Sequence, residues 1–293
     1  MSFKRRFKQV DVFTAEPLKG NPLAVVLDAE GLSDAQLQAF ARWTNLSETT
    51  FALPPTDPRA DYRVRIFTPD TEFPFAGHPT LGTAHALLES GLVPKTPGTL
   101  IQECGVGLVS VKLLPEGGLA FAAPSAEISV LPASLYSLLD DAMQHGGRQT
   151  NVDAWVVTMG ISWLVVRMPD AEACLRVKAD IDALAALQKQ AGVNGLAIYG
   201  PHPPGAAVDY EVRALLVEQN QLVEDPVTGS ANACLARVLQ QLNFPDGGET
   251  SQHYRVRQGT QRHRDGRVFV RYEQQQPWIG GETVTLIDGS IRL

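Results

Sequence analysis

Two stretches of the chain place polar residues at the mouths of apolar runs built from small side chains. One reads Gly77-His78-Pro79-Thr80-Leu81-Gly82-Thr83-Ala84-His85-Ala86; the other reads Asp225-Pro226-Val227-Thr228-Gly229-Ser230-Ala231-Asn232-Ala233. A helix that begins with small residues leaves its first N–H groups open and points the positive end of its dipole outward, so each start suits an anion. Gly77 and Gly229 remove side chains where a ligand can approach the backbone. His78, Asp225 and Ser230 add an imidazole, a carboxylate and a hydroxyl beside them. Singly, each has a structural alternative: Asp225 before a proline as a turn or cap residue, His78 as a hydrogen-bonded core histidine, Ser230 as a helix-start residue. If the two starts face each other, they line one cleft for a small acid.

Elements must hold these groups in place. Residues 10–13 and 23–27 read as strands around a Pro/Gly/Asn turn, and Ser33 offers an N-cap to a helix carrying Leu37, Phe40, Ala41 and Thr44 at helical spacing. Strands follow at 49–53 and 61–68, the second with Tyr62, Val64 and Ile66 on one face and Arg63, Arg65 and Phe67 on the other. Residues 79–89 have almost no charged face, which predicts a helix buried on every side and wrapped by sheet, with Pro79 in its first turn and Gly91 at its end. More strands are expected at 100–104, 108–114 and 119–122, and Pro124 and Pro132 bracket an expected linker.

The second half repeats this grammar. Helices are predicted at 135–142, 181–191 (capped by Gly192) and 228–242, and strands at 155–159, 163–168, 196–199, 208–217, 254–258, 268–272 and 284–287. His78 to Ala86 matches Asp225 to Ala233 in letters at a constant offset of 147, and each follows a Val-Arg pair, Val64-Arg65 or Val212-Arg213. Chance similarity between two small-residue helix starts is the alternative to duplication. The repeated grammar favours an α+β protein of two pseudo-symmetric domains, 1–127 and 128–293, each a mostly antiparallel or mixed sheet around a central helix. The last strand is free to cross to the first domain.

Composition narrows the partners. The chain has 293 residues, 44% hydrophobic and 19% charged, which is enough apolar material for two cores. Its formal net charge of -7 carries no basic stripe, which argues against nucleic acid and acidic membranes. Cys104, Cys174 and Cys234 stand far apart, which disfavours a disulfide framework or a thiolate zinc site and fits a reducing cytoplasm. Neither a membrane-length apolar run nor the phosphate-loop, dinucleotide, His-Glu-x-x-His or Gly-x-Ser-x-Gly patterns occur. No metal is expected. His85, inside the buried helix, is expected to hydrogen-bond within the core.

Four further groups of letters carry a resemblance. Asn45, Ser47, Glu48 and Thr49; Phe67-Thr68-Pro69 followed by Pro74 to Gly82; Glu224 to Asn232; and Val10 to Thr14 with Gly20-Asn21-Pro22 together resemble the PhzF family of phenazine biosynthesis. The resemblance implies the diaminopimelate epimerase-like fold, with the active site between two pseudo-equivalent domains, a homodimer, and catalysis without metal or organic cofactor. In the family's characterised reaction, trans-2,3-dihydro-3-hydroxyanthranilate is isomerised by a glutamate that falls on Glu48. His78, Asp225 and Ser230, with Asn21, Gly77 and Gly229, then bind and polarise the substrate. Racemases of this fold use a cysteine from each half; the resemblance puts Gly77 and Gly229 at or near those positions, so two-thiol chemistry is disfavoured.

The implied function is proton transfer between carbons of a small carboxylated substrate, cyclic or open-chain, with Glu48 as general base and acid. Such a carboxylate must be partly buried, so that its pKa rises toward the working pH. Two alternatives stay open: a small-acid binding protein without turnover, and an amino or hydroxy acid epimerase using a different second acid/base. The stretch from Leu215 to Val223 departs from the family's pattern, which puts the pocket wall there in question. So does the spacing between Gln258-Gly259 and Gly266-Arg267.

Overall fold

The computed structural model describes residues 3–115, 117–144 and 146–293. The chain divides into two compact units, Met1–Ala122 with Gly280–Leu293, and Ala123–Ile279.

The first unit contains β1 (Lys4–Val12), β2 (Asn21–Val26), α1 (Asp34–Thr44), β3 (Thr49–Leu53), β4 (Tyr62–Phe67), β5 (Glu72–Phe73), α2 (Gly77–Glu89), β6 (Thr99–Cys104), β7 (Gly107–Leu113) and β8 (Leu119–Ala122). The pairings run β1–β2 antiparallel, β2–β3 parallel, β3–β4 antiparallel, β4–β6 parallel, then β6–β7 and β7–β8 antiparallel. The C-terminal strand, Thr283–Arg292, adds to β1 antiparallel. Helix α2, whose only charged carboxylate is Glu89 at its end, buries every residue from Gly77 to Ala84. It packs so closely that a Cβ on Gly82 would stand 2.6 Å from Leu23 Cδ2 and 2.8 Å from Val12 Cγ2.

Helix α1 starts on a capping box: Gln36 N donates to Ser33 Oγ, and Ser33 N donates to Gln36 Oε1 at 3.0 Å. It buries Leu37, Phe40 and Ala41 against Val26, Phe51 and Phe67. Its end at Asn45 is left-handed, with φ of 53°, which turns the chain back toward β3.

The second unit contains β9 (Glu127–Val130), α3 (Tyr136–Ala142), β10 (Met143–Gln144), β11 (Trp155–Thr158), β12 (Ser162–Arg167), α4 (Ala171–Arg176), β13 (Lys178–Ala179), α5 (Ile181–Ala191), β14 (Gly195–Pro201), β15 (Tyr210–Glu218), β16 (Gln221–Asp225), α6 (Gly229–Gln241), β17 (His253–Gln258), β18 (Gly266–Glu273) and β19 (Gln276–Gly281). Its pairings repeat those of the first unit: β11–β12 antiparallel, β12–β14 parallel, β14–β15 antiparallel, β15–β17 parallel, β17–β18 antiparallel. β9 adds to β11 as the C-terminal strand adds to β1. Helix α6, like α2, is buried through its first two turns. The fold is α+β, predominantly sheet, with one buried central helix per unit.

Three details differ from expectation. The stretch between Pro124 and Pro132, which the two prolines suggest is a linker, holds β9, a short and mostly exposed strand. The atypical stretch after Arg213 is a hairpin of β15 and β16, closed by Gln219 and Asn220 at φ of 49° and 59°. Helix α2 begins at Gly77 and α6 at Gly229, a spacing of 152. The letter match at 147 is therefore out of structural register: closely packed helices draw on Gly, Ala, Ser and Thr in every turn, and a shifted alignment scores well.

Candidate active site

In the first unit the structure brings Asn21, Glu48 and His78 together. Asn21 opens β2, Glu48 immediately precedes β3, and His78 is the second residue of α2. The parallel pairing of Ala24 with Thr49 holds the ends of β2 and β3 side by side. His78 Nε2 lies 3.5 Å from Glu48 Oε2, with 4% and 14% of the two side chains exposed. Asn21, fully buried, places Nδ2 3.4 Å from His78 Nδ1. Ala76, which precedes the helix, is extended and gives no side-chain cap to α2.

Burial pushes the His78 imidazole down to about 3, and the ring is neutral near pH 7. An amide N–H directed at Nδ1 needs a lone pair there, which puts the ring proton on Nε2, facing the Glu48 carboxylate. The 3.5 Å approach is thus between a neutral ring nitrogen and a carboxylate oxygen, outside hydrogen-bond geometry, rather than a charged pair. Such a group can accept, hold and return a proton beside an immobile donor.

In the second unit Asp225, Gly229 and Ser230 lie around the start of α6. Asp225 is the last paired residue of β16, opposite Ala214. Its Oδ2 accepts from Thr228 Oγ1 at 2.6 Å, and its carbonyl accepts from Gln258 Nε2 at 3.1 Å. Gln258 also donates to Thr228 Oγ1 at 2.9 Å and accepts from Thr228 N and Asn232 Nδ2 at 3.0 and 2.9 Å. Ser230 Oγ accepts from Trp163 Nε1 at 3.0 Å. Gly259 has φ of +96°, and a Cβ there would stand 2.6 Å from Pro226 O, so glycine is required where the chain after β17 passes this turn.

Sequence reasoning did not assign Thr228, Asn232, Gln258 or Trp163 to the site. Thr228 and Asn232 lie inside a quoted motif and Gln258 beside a noted glycine, whereas nothing in the letters links Trp163 to a serine on another element. His85 is half-buried and bonds outward, 3.1 Å from Thr285 Oγ1 on the C-terminal strand and 3.3 Å from Glu89. Cys174 and Cys234 are buried, and Cys104 partly so; burial raises all three thiols above their ordinary range. Among the described residues there is no cluster of three or more His, Cys, Asp or Glu placed to hold a metal, and no helix long and apolar enough to cross a membrane.

Comparison with known proteins is consistent along the chain. The family model described as phenazine biosynthesis-like protein matches residues 10–289. The chain is 34% identical to the Antisense-enhancing sequence 1 protein of Schizosaccharomyces pombe, over 97% of each chain. It is 32% identical to trans-2,3-dihydro-3-hydroxyanthranilate isomerase of Pseudomonas aeruginosa, over 97% of this chain and 95% of that one. A crystal structure of a Bacillus anthracis phenazine biosynthesis protein of the PhzF family shares the fold at a TM-score of 0.83, with 24% identity over 99% of both chains. The chain belongs to the PhzC-PhzF family of phenazine biosynthesis-like proteins and is an enzyme of the isomerase class.

Proposed function

We propose that this isomerase moves a proton between carbons of a small carboxylated substrate, cyclic or open-chain, with Glu48 as the group that removes and returns it. The observation that carries the proposal is the largely shielded Glu48 carboxylate, 3.5 Å from the neutral, buried His78 at the uncapped start of α2. In this proposal the helix start at Gly77 and His78 receives the substrate's anionic group, His78 Nε2–H polarises it, and Asn21 keeps the imidazole in that tautomer. Asp225, Gly229 and Ser230, around the start of α6, are the substrate-binding groups proposed for the second unit. Shielding strengthens each of these polar contacts. An epimerase working through two thiolates is not favoured, because the residues that open α2 and α6 are glycines and burial keeps the thiols protonated.

The test is proton exchange in heavy water, followed by NMR, with trans-2,3-dihydro-3-hydroxyanthranilate and a panel of small unsaturated and hydroxylated carboxylates. A substrate should take up deuterium with the wild type, and Glu48→Gln should slow that uptake by roughly 10²- to 10⁴-fold. Exchange undiminished in Glu48→Gln removes Glu48 from the role. Binding without exchange across the panel favours a protein that holds small acids without turning them over. Light scattering on the same samples checks the homodimer that the family resemblance implies.

A further inference from the structure

A buried ion pair stands directly behind Asp225. The register of β15 and β16 pairs Ala214 with Asp225 and Leu215 with Glu224. Side chains alternate along a strand, so Arg213, Leu215 and Glu224 share one face of the hairpin, while Ala214 and Asp225 share the other. On the first face Arg213 Nε and Nη2 donate to Glu224 Oε1 and Oε2 at 3.0 and 2.9 Å, a bidentate fork with only 7% and 10% of the two side chains exposed. Arg213 Nη1 donates to the carbonyls of Cys174 and Val177 at 3.1 and 2.8 Å, at the C-terminal end of α4. One guanidinium therefore ties the end of a helix to the residue before Asp225.

The strand it holds ends in the turn that Gln258 also braces through the Asp225 carbonyl. β16 pairs with β15, its first two residues are exposed, and its ladder ends at Asp225. A buried ion pair is a poor source of stability, because desolvating two charges offsets most of their attraction, and apolar replacements of similar volume are often as stable. A planar fork fixed to two carbonyls does restrict orientation, and a lysine could not restrict it in the same way.

We propose that the Arg213–Glu224 pair is a positioning clamp for Asp225: it fixes the peptide at the end of β16 so that the Asp225 carboxylate is presented on the opposite face, against Thr228. The proposal rests on the reading that Asp225 binds substrate, but the geometry it describes is testable without a substrate. Asp225 and the clamp both lie in the second unit.

The experiment compares crystal structures, thermal unfolding and the carbon-13 titration of the Asp225 carboxyl in full-length wild type, Arg213→Met, Arg213→Met/Glu224→Leu and Arg213→Lys. The single methionine variant should lose stability, since it leaves a buried carboxylate without its partner, and the double variant should recover it. In the recovered double variant the 2.6 Å contact of Thr228 with Asp225 should open beyond hydrogen-bond distance, and the carboxyl should titrate at a different pH. A pair with a purely structural role predicts the reverse: restored stability would restore the contact and the titration, and that result overturns the proposal. Should the double variant fail to fold, Arg213→Lys decides, because a lysine that leaves both Asp225 readouts as in wild type shows that the fork is not needed. Asp225→Asn, assayed by deuterium uptake, tests the functional reading separately. Uptake unchanged there would refute the substrate role while leaving the clamp measurement intact.

Discussion

Replacing His78 by asparagine should make the protein less sensitive to acid, although it removes a group of the proposed active site. In the folded chain burial holds the imidazole at about 3, against 6.5 for an unperturbed histidine. The unfolded chain therefore binds more protons throughout that interval, so the stability His78 permits is complete above pH 6.5 and is lost as pH falls toward 3. At 1.36 kcal/mol per pH unit the whole interval is worth about 5 kcal/mol, an order-of-magnitude figure comparable to the total stability of many domains. Between pH 6.5 and 4.5 the share is about 2 to 3 kcal/mol.

Urea unfolding at a series of pH values, followed by circular dichroism, should show the wild type losing about that much more stability than His78→Asn over those two pH units. Carboxylates held low by cationic partners, such as Asp28 beside Arg6 and Asp246 beside Arg167, titrate in both proteins and cancel in the difference. Equal slopes would refute the argument. A wild type that resists acid better than the variant would go further: it would mean that the Glu48 carboxylate keeps His78 charged, and that Glu48 is spent as a counter-ion instead of being available as a base.

Three other changes have defined outcomes. Gly259→Ala places a side chain on a left-handed residue and against Pro226 O, so the denaturation midpoint should fall by the equivalent of about 1 to 3 kcal/mol, with turnover falling too as the Asp225 turn shifts; an unchanged midpoint would deny the close approach. Trp163→Phe removes the donor to Ser230 Oγ and should cost about 1 kcal/mol, read by chemical denaturation, with a raised KM if Ser230 binds substrate. Ser33→Ala breaks the capping box of α1 and should cost about 1 kcal/mol while leaving kcat unchanged; a loss of activity as large as that of Glu48→Gln would contradict the separation of cap and site.

What the letters could convey depended on how local the cause was. Helices α2 and α6 were legible because a helix without a charged face has to be buried, and α1 because Ser33 begins a capping box at the right distance from its apolar stripe. β16 was not legible: its hairpin turns on Gln219 and Asn220, which adopt positive φ without the glycine that marks such turns, and its first residues are exposed. β9 alternates in letters but is only four residues long between prolines and faces mostly solvent. Glu48 looks like a surface glutamate in its own neighbourhood; only the resemblance singled it out, and only the pairing of β2 with β3 sets it beside α2. The bond from Trp163 to Ser230 joins residues 67 positions apart and leaves no trace in either segment.

The two units share a device that no alignment of letters shows, and its divergence explains why their polar groups differ. Each buries one glutamine on the strand following the central helix, Gln102 on β6 and Gln258 on β17, and each ties it to the fourth residue of that helix, Thr80 or Asn232. Hydrogen-bond chemistry fixes the orientation of both amides. Thr80 Oγ1 donates to Ala76 O, so it must accept from Gln102 Nε2, and Gln102 Oε1 is left to take the Tyr62 hydroxyl at 3.0 Å. Thr228 N can only donate, so Gln258 Oε1 faces Thr228 N and Asn232, and Nε2 is turned toward Asp225 O and Thr228 Oγ1. The same buried amide is spent inside the core in the first unit and reaches the Asp225 turn in the second. The first unit then depends on Asn21 to orient its polar group, and the group it orients is an imidazole whose proton faces a carboxylate. A repeated scaffold in this way carries an imidazole beside a carboxylate at one helix start and a braced carboxylate at the other.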